Sequence, residues 1–156
     1  MVIFPTITGS NLLRKKLTLP ADFKGDLNLV FVAFLQWQQS EINSWVPMVL
    51  DWEKQHPGLV YYELPVIEDR QVLYKWFINE GMRAGIPNPL TRERTIPVYL
   101  QKSSFKKSLE MEDEEHIYVL LLDKNHNEIS RYRGPYSQEA GRELSSLLLT
   151  NLGAAK

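Results

Sequence analysis

Glu112-Asp113-Glu114-Glu115-His116 is a dense run of titratable side chains. Carboxylates beside an imidazole are a donor set that a divalent cation would accept. The spacing fits no known metal loop, however, and a run of like charges is usually solvated. A second group is Arg83, Arg92 and Arg94, which bracket the stretch AGIPNPLT. Three guanidiniums on one loop would hold a phosphate or a carboxylate through forked hydrogen bonds. The competing reading pairs them with Glu93 and its neighbours on the surface. His56 falls at a helix end, where a positive imidazole suits the dipole, and His126 falls in a turn; both are expected to face solvent. No glycine-rich phosphate loop, dinucleotide fingerprint or G-x-S-x-G elbow occurs. Cysteine is absent, which excludes a thiol nucleophile, a disulfide, a thiolate metal site and an iron–sulfur cluster. Neither a metal nor a cofactor is therefore expected.

Composition narrows the partners. The 18 basic and 19 acidic residues leave a formal charge of -1, so there is no long-range field to draw in nucleic acid. With 156 residues the chain reads as a single domain spanning 1–156, long enough to bury roughly two-thirds of its unfolded surface. No apolar run approaches the ~20 residues that span a bilayer. No segment has the charged head, apolar middle and small-residue cleavage site of a secretory leader. The expectation is a soluble protein of the cytoplasm or another intracellular compartment.

The elements that must position these residues follow from periodicity. Residues 1–26 read as an N-terminal β extension, a hairpin with Gly9-Ser10-Asn11 as its turn and Leu17 and Leu19 at strand spacing. LNLVFVAFL, from Leu27 to Leu35, is an apolar run of the kind found in central strands covered on both faces. Ile42, Trp45, Met48, Val49 and Trp52 then recur at helical spacing up to about Gln55, with Ser40 as the expected N-cap and Glu41 facing the positive helix end. LVYYELPV, Leu59 to Val66, is a second strand. A second helix is expected over Asp69–Ala84, its stripe formed by Val72, Leu73, Trp76, Phe77 and Met82. NPLTRERT reads as a polar loop, IPVYL as a short strand and SFKKSLEM as one or two helical turns. IYVLLLD and EISRYRG form a strand pair joined by KNHN, and a last helix runs from Ser137 to Leu152. Trp45 and Trp52 belong to the core by spacing. Trp37 lies past the end of a strand, where an exposed aromatic would be a binding hot spot, against the commoner burial of tryptophan.

Several stretches carry a family resemblance. FPTITGSNLLRKKLTLPADFKGDLNLVFVAF, IPVYLQKSSFKKSLEM and YVLLLDKNHNEISRYRGPYSQEAGREL resemble the opening, the inserted strand and turn, and the terminal unit of the peroxiredoxin and cytochrome-maturation branches of the thioredoxin superfamily. NSWVP, GMRAGIP, SFKKSLEMEDEEHIYVLLLD and the ending around Arg131 to Gly134 resemble the mitochondrial ATP synthase assembly-factor family, a thioredoxin-like group. The resemblance covers almost the whole chain. It implies an α/β, thioredoxin-like three-layer sandwich, with a central mixed β-sheet, helices on both faces and the N-terminal β extension.

Two departures bear on chemistry. In the redox branches a dithiol follows the strand–helix junction. Anchored on Trp37, its positions are Gln38 and Glu41; anchored on Pro47, they are Gln39 and Ile42. Neither register supplies sulfur. Those branches also place a cis-proline before the third core strand, a position that corresponds to about Ile117. A non-proline cis bond costs roughly 3 kcal/mol, so this peptide is expected to be trans. Disulfide exchange requires a thiolate, so neither thiol oxidoreductase nor thiol peroxidase chemistry is available to these side chains. The leading expectation is a redox-inactive, non-enzymatic binding or assembly factor for another protein, docking through Trp37, Gln38, Gln39, Glu41, His116 and Ile117, with Arg83, Arg92 and Arg94 as the anion-binding loop. An ATP synthase component is the partner the resemblance implies. Two alternatives stand beside it. One is an enzyme of non-thiol, metal-assisted chemistry built on His116 and its acidic neighbours; the other is a structural subunit that self-associates.

Overall fold

The structure, a computed structural model, describes residues 2–68 and 89–153. The helix expected over Asp69–Ala84, and Arg83 with it, lie outside the described residues. Labels below number the described elements in chain order.

The heart of the fold is a sheet ordered β5-β4-β3-β6-β7. Its strands are β3 (Leu27–Ala33), β4 (Leu59–Ile67), β5 (Val98–Tyr99), β6 (Tyr118–Asp123) and β7 (Glu128–Arg133). β3 pairs in parallel with β4 and antiparallel with β6, so the sheet is mixed. Every residue of β3 is buried, as its near-continuous apolar run required of a strand covered on both faces. The two-residue strand period divides those side chains between two cores. Leu27, Leu29, Phe31 and Ala33 face α1 (Gln39–Gln55) and α4 (Gln138–Leu152). Val30, Val32 and Phe34 face the opposite cluster, which includes Phe105 and Leu109 from α3 (Lys102–Ser108) and its end.

The N-terminal hairpin, β1 (Ile7–Ser10) with β2 (Lys16–Leu19), forms a separate two-stranded sheet. It is more than an appendage, because Phe4, Leu17, Leu19 and Phe23 are core residues of that second face. Gly9 was expected in the turn but sits within β1. A Cβ on it would lie 2.8 Å from both the Pro97 carbonyl oxygen and Val98 Cγ1, so glycine is there to let the hairpin approach β5. The turn itself belongs to Asn11, whose Oδ1 accepts from the Leu13 and Lys15 amides at 2.9 and 3.0 Å.

Three other local expectations are corrected. Ser40 does not cap α1. A 3-10 turn over Gln36–Gln38 runs straight into the helix, and the Ser40 hydroxyl donates to the Trp37 carbonyl at 2.9 Å. Thr91 to Arg94 are not loop but part of a short helix, α2 (Pro89–Arg94). His56 is buried rather than solvent-facing, and its Nδ1 meets the Gly153 carbonyl at 2.9 Å, which ties the end of α1 to the end of α4. Trp45 and Trp52 are buried as their spacing required.

Candidate functional site at the strand–helix junction

The junction between β3 and α1 is stitched to the loop before β6 by two side chains. Gln38 is fully buried. Its Oε1 accepts from the Phe34 and Leu35 amides at 2.8 and 3.2 Å, and its Nε2 donates to the Glu114 carbonyl at 2.5 Å. One amide thus turns the chain out of β3 and fastens it to a loop 76 residues away in sequence. Glu41, one turn further along α1 and only 7% exposed, is the second stitch. Its Oε1 accepts the Ile117 amide at 3.1 Å, and its Oε2 lies 2.7 Å from His116 Nδ1. Both positions that the Trp37 register assigns to a dithiol are therefore occupied by hydrogen-bonding side chains aimed at the same loop.

That loop is held from its far side as well. Arg133 donates to the His116 and Ile117 carbonyls, each at 3.3 Å, and pairs with Asp113 at 2.5 Å while lying over the Tyr118 ring. The Arg133 guanidinium holds the Asp113 carboxyl below its ordinary range. Glu114 feels two opposed influences. Burial pushes its carboxyl up, but hydrogen bonds from Lys106 and Lys102 outweigh this and bring it below the usual value. Lys102 also donates to the Phe34 carbonyl at 3.0 Å, so this ion-pair group closes the junction from below. The His116–Ile117 peptide is trans, for Leu19–Pro20 is the cis bond among the described residues.

What remains open is a side-chain surface. Trp37 is 52% exposed, and its ring meets His116 edge-to-face with centroids 6.2 Å apart. Burial was the commoner expectation for Trp37 and exposure the alternative; the structure exposes it at the rim. Gln39 takes a different course. Its Nε2 donates to Glu63 Oε1 at 2.8 Å and to Asn43 Oδ1 at 3.0 Å, and its own Oε1 is buried without a partner. Glu63, buried in β4, has its carboxyl pushed up by burial, with the Gln39 hydrogen bond partly opposing that. No sequence pattern marked Glu63, since a lone acid inside an apolar strand has no local signature.

The structure brings Trp37, Gln38, Glu41, His116 and Ile117 together, and sets Gln39 beneath them against Glu63. Arg94 is not left free for that rim. Arg94 pairs with Glu53 at 2.5 Å, donates to the Tyr61 carbonyl at 3.0 Å and lies over the Tyr61 ring. The Arg92 carbonyl accepts from the Leu12 amide at 3.0 Å, and Arg83 lies outside the described residues. The acidic run disperses: Asp113 turns to Arg133, Glu114 to Lys102 and Lys106, and His116 to Glu41. Among the described residues no three histidine or carboxylate side chains converge as a metal-binding set. No described helix is long and apolar enough to cross a membrane.

No protein-family model matches the chain, and no curated protein matches it either. Solved structures do. A thiol:disulfide interchange protein from a Bacteroides species superposes with a TM-score of 0.58 at 19% identity, over 99% of this chain and 91% of that one. A thiol-disulfide oxidoreductase from Bacteroides fragilis gives a TM-score of 0.61 at 14% identity, covering 93% and 98% respectively. Yeast mitochondrial 1-Cys peroxiredoxin gives 0.59 at 15% identity, over 97% of this chain and 78% of that one. At these identities the likeness is one of fold. The chain has a thioredoxin-like α/β fold, shared with thiol-dependent redox proteins, and carries no cysteine.

Proposed function

We propose that the protein is a non-catalytic docking module, a binding or assembly factor that holds another protein at the rim formed by Trp37 and His116. The observation that carries this reading is the exposed Trp37 set against an imidazole whose carboxylate support is buried. A half-exposed tryptophan on a rigid base is a common anchor of protein interfaces, because it offers a large contact area with little conformational entropy left to lose. The stitches from Gln38 and Glu41 supply that rigidity, and thiol exchange is unavailable to side chains without sulfur. The resemblance of NSWVP and SFKKSLEMEDEEHIYVLLLD to an assembly-factor family supports the same reading, with an ATP synthase component as the partner it suggests.

The test compares Trp37→Ala with the unaltered protein in capture from native lysate, alongside a thermal melt. A specific partner lost from the variant, with a melting temperature unchanged within about 2 °C as expected for a surface substitution, supports docking. Retention of every captured protein by the variant refutes it. The Glu41–His116 pair favours a second reading, proton transfer at His116 Nε2 in a non-thiol enzyme. That reading requires a turnover abolished by His116→Gln.

A further inference from the structure

We infer that the partner presents a basic side chain, an arginine or a lysine, to the Trp37–His116 rim; this rests on the docking reading above. The first argument is the tautomer of His116. Glu41 is an acceptor on both oxygens, one for the Ile117 amide at 3.1 Å and one for His116 Nδ1 at 2.7 Å. Nδ1 therefore carries a proton, and in the neutral ring Nε2 is left as an acceptor. While the ring is neutral, the nitrogen displayed beside Trp37 accepts and is matched by a donor.

The second argument is what the loop withholds. Its backbone is largely committed to the fold: the Glu114 carbonyl to Gln38, the Glu115 amide to Asp113, the Ile117 amide to Glu41, and the His116 and Ile117 carbonyls to Arg133. A partner strand pairing along this loop would have to break those bonds, so recognition falls to side chains. The third argument is charge. Asp113 and Glu114 are neutralised by Arg133, Lys102 and Lys106, whereas Glu112 and Glu115 on the same loop are exposed and in no ion pair among the described residues. Trp37 adds an aromatic face of the kind that attracts ammonium and guanidinium groups. A cationic N–H donor suits the aromatic face and the neutral imidazole beside it, and the exposed Glu112 and Glu115 on the same loop add longer-range attraction for it. An acidic or purely apolar side chain satisfies one of them at most.

The experiment titrates N-acetyl-arginine amide into the isotopically labelled protein and follows the indole N–H signals by NMR, with Trp37→Ala identifying the relevant one. N-acetyl-citrulline amide, of nearly the same shape but neutral, and N-acetyl-glutamate amide are the controls. The inference expects a saturable shift at Trp37, about 2- to 5-fold weaker for citrulline as the loss of a cation–aromatic contact at an exposed site would give. It also expects weakening by the Glu112→Gln/Glu115→Gln double variant at low salt, a difference that shrinks as salt screens the exposed charges. Equal shifts from arginine and citrulline, tighter binding of glutamate, or no shift at Trp37 overturn it. If Trp37→Ala loses its captured partner while the arginine probe does not bind, the docking reading stands and this inference falls. If the variant keeps every captured partner, the docking reading itself falls.

Discussion

Replacing Glu63 by glutamine is expected to stabilise the protein at neutral pH and to do nothing in acid. The carboxyl sits in β4 with only 2% of the residue exposed, and Gln39 Nε2 donates to it at 2.8 Å. Burial disfavours its charged form more than that single hydrogen bond favours it, so the folded state holds the proton above the ordinary carboxylate range. The sign follows by linkage. Between the unfolded value and the raised folded value, the folded protein binds more protons than the unfolded chain, and stability falls as pH rises through that window. The slope is about 1.4 kcal/mol per pH unit for a single group. Glutamine has no proton to lose and keeps an acceptor for Gln39 Nε2. Urea unfolding followed by tryptophan fluorescence at several pH values between 4 and 8 measures the difference. The two proteins are expected to agree within error at the acid end and to diverge as pH rises, the unaltered protein losing stability relative to the variant by at most about 1.4 kcal/mol per pH unit. A difference that stays flat across pH, or one that favours the unaltered protein at pH 7, would refute the account of a carboxyl kept protonated by burial.

Two further substitutions examine the frame. Gln38→Ala leaves the buried Phe34 amide and the part-buried Leu35 amide and Glu114 carbonyl without their partner, and a loss of about 1–3 kcal/mol, chiefly from the buried amide, is expected in chemical denaturation. Gly141→Ala places a Cβ 2.4 Å from the Tyr136 hydroxyl oxygen. Tyr136 packs edge-on against Trp45 at 5.3 Å, so overpacking of about 1–3 kcal/mol should appear together with a changed near-ultraviolet dichroism.

The frame of the fold was readable because it is written in local apolar patterns. Leu27 to Ala33 and Tyr118 to Asp123 are near-continuous apolar runs and the Ile42–Trp45–Val49–Trp52 stripe recurs every three to four residues, and burial follows them directly. Features set by contacts distant in sequence were not readable. His56 at a helix end looks like a surface residue until Gly153 arrives from the other end of the chain. Gly9 looks like a turn until β5 packs against it. The rim falls between these cases. Trp37, Glu41 and His116 drew notice as residue types at a junction and in a charged run, but nothing local shows that Glu41 reaches across 75 positions to His116. Arg94 shows the same thing in reverse: it looked available because Glu53 and Tyr61 lie far away in sequence.

Gln38 and Glu41 between them satisfy two junction amides, one carbonyl, one loop amide and one imidazole nitrogen. Grafting sulfur onto those two sites would therefore do more than add an electron-transfer group. It would unfasten five anchorages at once, and a thiol is too weak a donor and acceptor to refasten them. Converting this protein into an oxidoreductase is a redesign of the loop and its supports rather than a pair of point changes.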